Sequence, residues 1–181
     1  MTVPASDVSR YDRTSIFFHW TIAALIVANG PLGMYLDSVP RDARGPYINA
    51  HAIIGGLVLI LTLARLVNRL INKAPPLPGS GPLNVLAKLG HAALYIVTLL
   101  VPISGMRTMW LRGRGVDLGV LQIPSPLATN LDAAKQTAEM HELFFFAMLL
   151  LVVGHVAAAV YHQVVLKDRL MARMSSRATV G

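Results

Sequence analysis

Six histidines and no cysteine define the metal chemistry open to this chain. His19, His51, His91, His141, His155 and His162 all lie in or beside strongly apolar stretches. His141 and His155 are fourteen residues apart. At about 100° per residue, fourteen steps return nearly to the same helix face, and at about 1.5 Å per residue they cover roughly 21 Å. One helix would then present two imidazoles on one stripe, near opposite sides of a hydrocarbon layer about 30 Å thick. Two stacked haems require such a stripe, each iron taking a second imidazole from another helix at the same depth. The lack of cysteine excludes disulfides, thiolate metal sites, iron–sulfur clusters and covalent haem attachment. Zinc or copper would need three or four ligands at one depth, usually with carboxylates or thiolates. The span interiors carry no Asp or Glu. Glu139 and Glu142 read as first-turn residues favoured by the helix dipole.

The elements that must position these rings follow from hydropathy. The chain has 181 residues, of which 14% are charged, against about 25% in a soluble domain. Mean hydropathy is +0.55. Four apolar runs are long enough to cross a bilayer. The spans are expected at about 15–36, 47–70, 83–106 and 138–163 of a single transmembrane domain. The first run is too long for a signal-peptide core and no Ala-x-Ala-like site follows it, so it reads as a retained span. Pro31 is placed to kink its far end. A Pro/Gly-rich stretch at 74–82 is a loop. The longest loop, 107–137, carries Arg107, Arg112 and Arg114. The expected class is all-α, an integral membrane four-helix bundle with both termini on one side.

Charge sets the orientation. The side with both termini and the 71–82 loop, including the basic tail 167–181, holds ten basic and three acidic residues. The opposite side holds six of each. The positive-inside rule places both termini in the cytoplasm. The net charge of +7 then reflects topology and contact with anionic lipid rather than nucleic acid.

Depth sorts the histidines. His51, entering span two from the outer side, and His141, entering span four from the same side, have no other histidine at their level. They form one expected pair, with Gly55 and Gly56 leaving room for a porphyrin. On the inner side His19, His91, His155 and His162 compete. His19 with His155 is preferred because both sit inside the hydrocarbon, beside Trp20 and Gly154. His91 and His162 lie nearer water, where a helix–helix hydrogen bond is the ordinary role of a histidine.

The segments RYDRTSIFFHW, NAHAIIGGLVLILTLARL, LGHAALYIVTLLVPISG and MHELFFFAMLLLVVGHVAAAVYHQVVLKDRLMARM together resemble the bacterial cytochrome b561 family over nearly the whole chain. The outer loop matches less well. The resemblance implies a four-helix inner-membrane cytochrome with two non-covalent, bis-histidine b haems. His19 and His155 would hold the cytoplasmic-side iron, and His51 and His141 the periplasmic-side iron. It implies electron transfer between a periplasmic donor and membrane quinone. One branch of the family oxidises superoxide and reduces ubiquinone. The similar cytochrome subunits of nickel–iron hydrogenases and formate dehydrogenases serve a catalytic partner instead.

The resulting expectation is a superoxide:ubiquinone oxidoreductase. The competing reading is an electron-transfer subunit for a periplasmic redox protein, and a haem-free transporter or scaffold is the third. Lipid and quinone are the other expected partners, nucleic acid is not one, and a homodimer is the assembly left open. Arg107, Arg112 and Arg114, with Lys135 nearby, are candidates for guiding an anion toward the outer haem. The outer face has no net formal charge, so only a local patch could do this. His91 and His162 are candidates for quinone chemistry on the cytoplasmic side, with Ser15 or Arg13 nearby.

Overall fold

A computed structural model describes residues 10–73, 75–76, 81–168 and 170–175. Four long helices run α1 (Arg13–Tyr35), α2 (Arg44–Ile71), α3 (Pro82–Leu111) and α4 (Leu131–Tyr161). Each is long and apolar enough to cross a membrane. Helices adjacent in sequence pack against one another, the up-down arrangement that short connections impose. Phe17, Val27, Ile60, Leu89, Leu150 and Val153 are among many large apolar side chains left exposed. In a soluble protein this would be a liability, whereas against lipid tails it costs nothing.

Local chemistry explains the helix ends. Asp12 caps α1, its carboxylate accepting from the Ser15 amide at 2.9 Å and the Ser15 hydroxyl at 2.6 Å. The Ser15 hydroxyl in turn accepts from Asn68 of α2 at 2.9 Å, tying the two helices together at this end. Burial alone would raise the Asp12 carboxyl, but the hydrogen bonds from Ser15 and Asn68 outweigh it and hold it below its ordinary range. Pro31 lies inside α1, which continues to Tyr35 and then tightens into a 3-10 turn at Leu36–Ser38. Pro82 occupies the first turn of α3, where its missing N–H costs nothing.

Two boundaries differ from the expectation. The loop drawn at 107–137 is shorter, because α3 runs on to Leu111 and α4 begins at Leu131. Hydropathy locates the hydrocarbon, not the helix ends. The polar first turns of α4 stand outside it, capped by Asn130 accepting from the Ala133 amide at 2.9 Å. The stop signal of α3 is Gly113, with φ of 71°, whose amide donates to Trp110 O at 2.8 Å. Arg107 and Lys135 are therefore helical residues.

The remaining loop is built rather than loose. Val116–Asp117 (β1) and Gln122–Ile123 (β2) form a short antiparallel hairpin. Asn49 at the start of α2 clasps it, donating to Asp117 O at 2.6 Å and accepting from the Asp117 amide at 2.9 Å. At the other end of the bundle, α4 continues as a π-helical turn, His162–Leu166, and a 3-10 turn at Leu170–Met174 folds back. Trp20 Nε1 donates to Met174 O at 2.9 Å, and the Tyr11 amide donates to Arg173 O at 3.2 Å. Part of the stretch expected as a basic tail is thus docked beside the start of α1, while Arg169 and residues 176–181 lie outside the described residues.

The core is narrow. Thr62, Thr98, Ser104, Thr108 and Thr137 are buried along the helix contacts. Thr62 donates to Val58 O at 2.7 Å and Thr108 to Ser104 O at 2.9 Å. Small side chains that satisfy themselves on their own helix let backbones approach without stranding a polar group.

Candidate functional site: two histidine pairs on one helix

The first pair, expected on the outer side, is His51 of α2 and His141 of α4. Their ring centres are 6.1 Å apart with planes at 89°. His141 Nδ1 lies 2.8 Å from Val101 O on α3. A carbonyl can only accept, so Nδ1 carries the proton and Nε2 keeps its lone pair for a metal. The Ser104 hydroxyl, 3.3 Å from the same nitrogen, adds a second partner. Two glycines make room for the rings. A Cβ at Gly33 would stand 2.7 Å from His51 Cε1, and one at Gly105 would stand 2.8 Å from His141 Cε1. Beside His51, Asn29 Nδ2 donates to the His51 carbonyl at 3.3 Å. His51 Nδ1 and Asn29 Oδ1 are buried with no hydrogen-bond partner.

The second group, expected on the inner side, has three members. His19 of α1 and His155 of α4 have ring centres 6.2 Å apart at 73°. His91 of α3 lies closer to His155, at 5.6 Å and 68°. The expectation that His91 is poorly matched in depth to His155 is therefore corrected. His91 stands nine residues into α3, about 13 Å along the axis. His162 stands apart, its Nδ1 2.5 Å from an Asp168 carboxylate oxygen.

The spacings test whether these residues suit a haem. An imidazole nitrogen binds a metal at about 2.0–2.1 Å, so two rings on opposite sides of one ion have centres about 6.3 Å apart. His51–His141 and His19–His155 meet this spacing, and His91–His155 is short of it. The two glycine cradles also suit rings held for a ligand rather than for packing. Among the described residues no three His, Asp or Glu side chains gather closely enough to hold an ion alone.

Arg65 of α2 is not singled out by hydropathy or histidine spacing. Its Nη1 lies 3.1 Å from His19 Nδ1, and its guanidinium sits 5.4 Å from the Tyr95 ring centre. An ionisable group inside an apolar run is the available signal, though by position Arg65 reads first as one of the basic residues that set topology. Gly33, Gly105 and Asn29 are not singled out either, because nothing local distinguishes a glycine facing a ring from one facing lipid.

The three arginines expected to guide an anion have different settings. Arg107 donates to Thr137 Oγ1 at 2.8 Å, one helical turn before His141. Arg112 is the exposed C-cap of α3. Arg114 lines a cavity of about 620 Å³ with Asn49, Met109 and Asp117. At the other end, a cavity of about 600 Å³ is lined by Tyr11, Arg69, Lys73, Asn84, Lys88 and His91, with Pro75 and Pro76. His162, Arg13 and Ser15 are not among its lining residues.

Imidazoles paired at two levels of a four-helix bundle, each helix long and apolar enough to span a membrane, have the arrangement that a membrane cytochrome of the b type needs. Comparison with known proteins agrees. The chain belongs to the prokaryotic cytochrome b561 family, whose match spans residues 10–177. It is 34% identical over 172 residues to a cytochrome b562 of Cereibacter sphaeroides, covering 91% of this chain and 94% of the relative. It is 29% identical over 168 residues to a probable superoxide oxidase CybB of Yersinia pestis, covering 91% and 95%. It is 28% identical over 176 residues to cytochrome b561 homolog 2 of Escherichia coli, covering 94% and 93%. The protein is thus a multi-pass bacterial membrane protein of a haem b, electron-transferring family.

Proposed function

We propose that this chain carries electrons across the bacterial inner membrane from superoxide at the periplasmic face to ubiquinone at the cytoplasmic face. His51 and His141 would hold one b haem and His19 and His155 the other, with both termini cytoplasmic. The observation that carries the proposal is the repetition on α4 of one ring spacing, 6.1 Å at the outer level and 6.2 Å at the inner. When bound, each haem supplies a one-electron couple without an open coordination position, which suits outer-sphere transfer.

The chain's own residues do the rest. The Val101 carbonyl fixes the proton and orientation of His141. Gly33 and Gly105 let the outer rings sit against α1 and α3. Arg107, held on Thr137 above His141, places a positive charge where an anion would approach. At the inner end, the cavity beside His91 offers a site for a quinone headgroup, with His91 as a proton donor and Arg69, Lys73 and Lys88 favouring a reduced, anionic ring. The balance is two superoxide anions, one ubiquinone and two protons giving two dioxygen and one ubiquinol. His162, engaged with Asp168, has a weaker claim to this role.

Electron transfer with a periplasmic protein is the second reading. It is favoured by the hairpin, whose tip exposes Leu118, Val120 and Leu121 on a loop strapped to α2. Stopped-flow mixing of the purified, quinone-loaded protein with superoxide separates the two. Rapid haem reduction followed by ubiquinol formation is expected, and no reduction by superoxide would remove the first reading.

A further inference from the structure

Arg65 is a cation inside a membrane span that no carboxylate among the described residues answers. Among the described residues the only ion pair joins His162 to Asp168. The guanidinium has five N–H donors, and its hydrogen bond to His19 Nδ1 at 3.1 Å uses one of them. Tyr95 covers it at 5.4 Å. Intramembrane arginines almost always pair with an anion or with carbonyl groups, so this one is held ready for a partner.

The contact with His19 is itself provisional. A guanidinium only donates, so the contact makes His19 Nδ1 an acceptor and leaves the ring proton on Nε2. A neutral imidazole that offers Nε2 to a metal carries its proton on Nδ1, as His141 does. The Arg65 hydrogen bond and His19 ligation through Nε2 therefore exclude one another. Ligation must release the guanidinium, and b-type haem brings two carboxylates of its own.

We propose that Arg65 is the carboxylate receptor of the inner haem: it leaves His19 Nδ1 when that ring takes the iron and pairs with a haem propionate. This rests on His19 and His155 being the inner ligands. Its role is positional and electrostatic, since a fixed cation favours the reduced, more negative state of the couple beside it.

Potentiometric titration of the purified holoprotein tests this, with each haem assigned by its loss in His141→Ala or His155→Ala. Arg65→Gln is expected to lower the midpoint potential of the inner haem and leave the outer one in place. Arg65→Lys, which keeps the charge, is expected to restore most of the shift. If Arg65→Gln instead sheds the inner haem, Arg65→Lys must recover two haems per chain, and failure to do so overturns the proposal. An unchanged inner potential at full haem content also overturns it, while leaving the histidine pairs intact. Survival of both haems in His155→Ala would overturn the ligand reading beneath it.

Discussion

Gly105→Ala adds one methyl group and should cost the protein the haem proposed between His51 and His141. The new Cβ would lie 2.8 Å from His141 Cε1 and 3.0 Å from Nδ1. Favourable carbon–carbon contacts begin at about 3.5 Å, so the ring must retreat by roughly 0.7 Å. Gly105 and Val101 are one turn apart on α3, so the retreat is away from the Val101 carbonyl. The Nδ1–O distance of 2.8 Å would stretch toward the limit of a hydrogen bond. Losing that bond costs about 0.5–1.5 kcal/mol and overpacking about 1–3 kcal/mol. Loss of a partner behind a metal-ligating histidine typically costs about 10–100-fold in metal affinity. Together these suggest haem affinity at the outer site weakened on the order of 100-fold. The assay is haem content per chain with redox difference spectra, against Gly45→Ala, whose Cβ would meet nothing within 4 Å. One haem per chain, the inner one, is expected from Gly105→Ala and two from the control. Two haems of unaltered affinity in Gly105→Ala would refute the cradle.

Other outcomes follow from the same contacts. Arg107→Ala should slow reduction by superoxide by about tenfold at low ionic strength, less in high salt, with Arg112→Ala smaller; equal effects in stopped-flow traces would deny Arg107 its special place. His51→Ala and His141→Ala should remove the same haem, and loss of different haems by difference spectroscopy would break the pair. Asp12→Ala should cost about 0.5–2 kcal/mol in thermal unfolding through loss of the α1 cap. Because the Asp12 carboxyl is held below its ordinary value of 3.8, its stabilisation is present above that pH and fades as the pH falls through the lowered value. A denaturation profile in which Asp12→Ala costs as much under strong acid as at neutrality would contradict this.

The four spans and the His51–His141 pair were readable in the chain because both rest on one-dimensional quantities, hydropathy and residue spacing along a helix. The ends of α3 and α4 were not, since the bilayer records where a helix is apolar rather than where it stops. Polar turns such as Asp132–Glu139 stay helical in water. Gly113 did carry a stop signal within the sequence RGRG. The inner group shows a different limit. Depth ranked His91 below His19, yet its ring lies 5.6 Å from that of His155, and it is the spacing across an ion that favours His19. The hairpin at 116–123 escaped notice because two-residue strands have no periodicity to find. Arg65 was visible as a residue but not as a neighbour of His19, forty-six positions away.

Counting haem b per chain in the purified protein, with a redox titration of the absorbance, bears most directly on the electron path proposed along α4. Two b haems per chain are expected, both low-spin and titrating as two one-electron couples. A single haem, or none, in fully folded protein would contradict it.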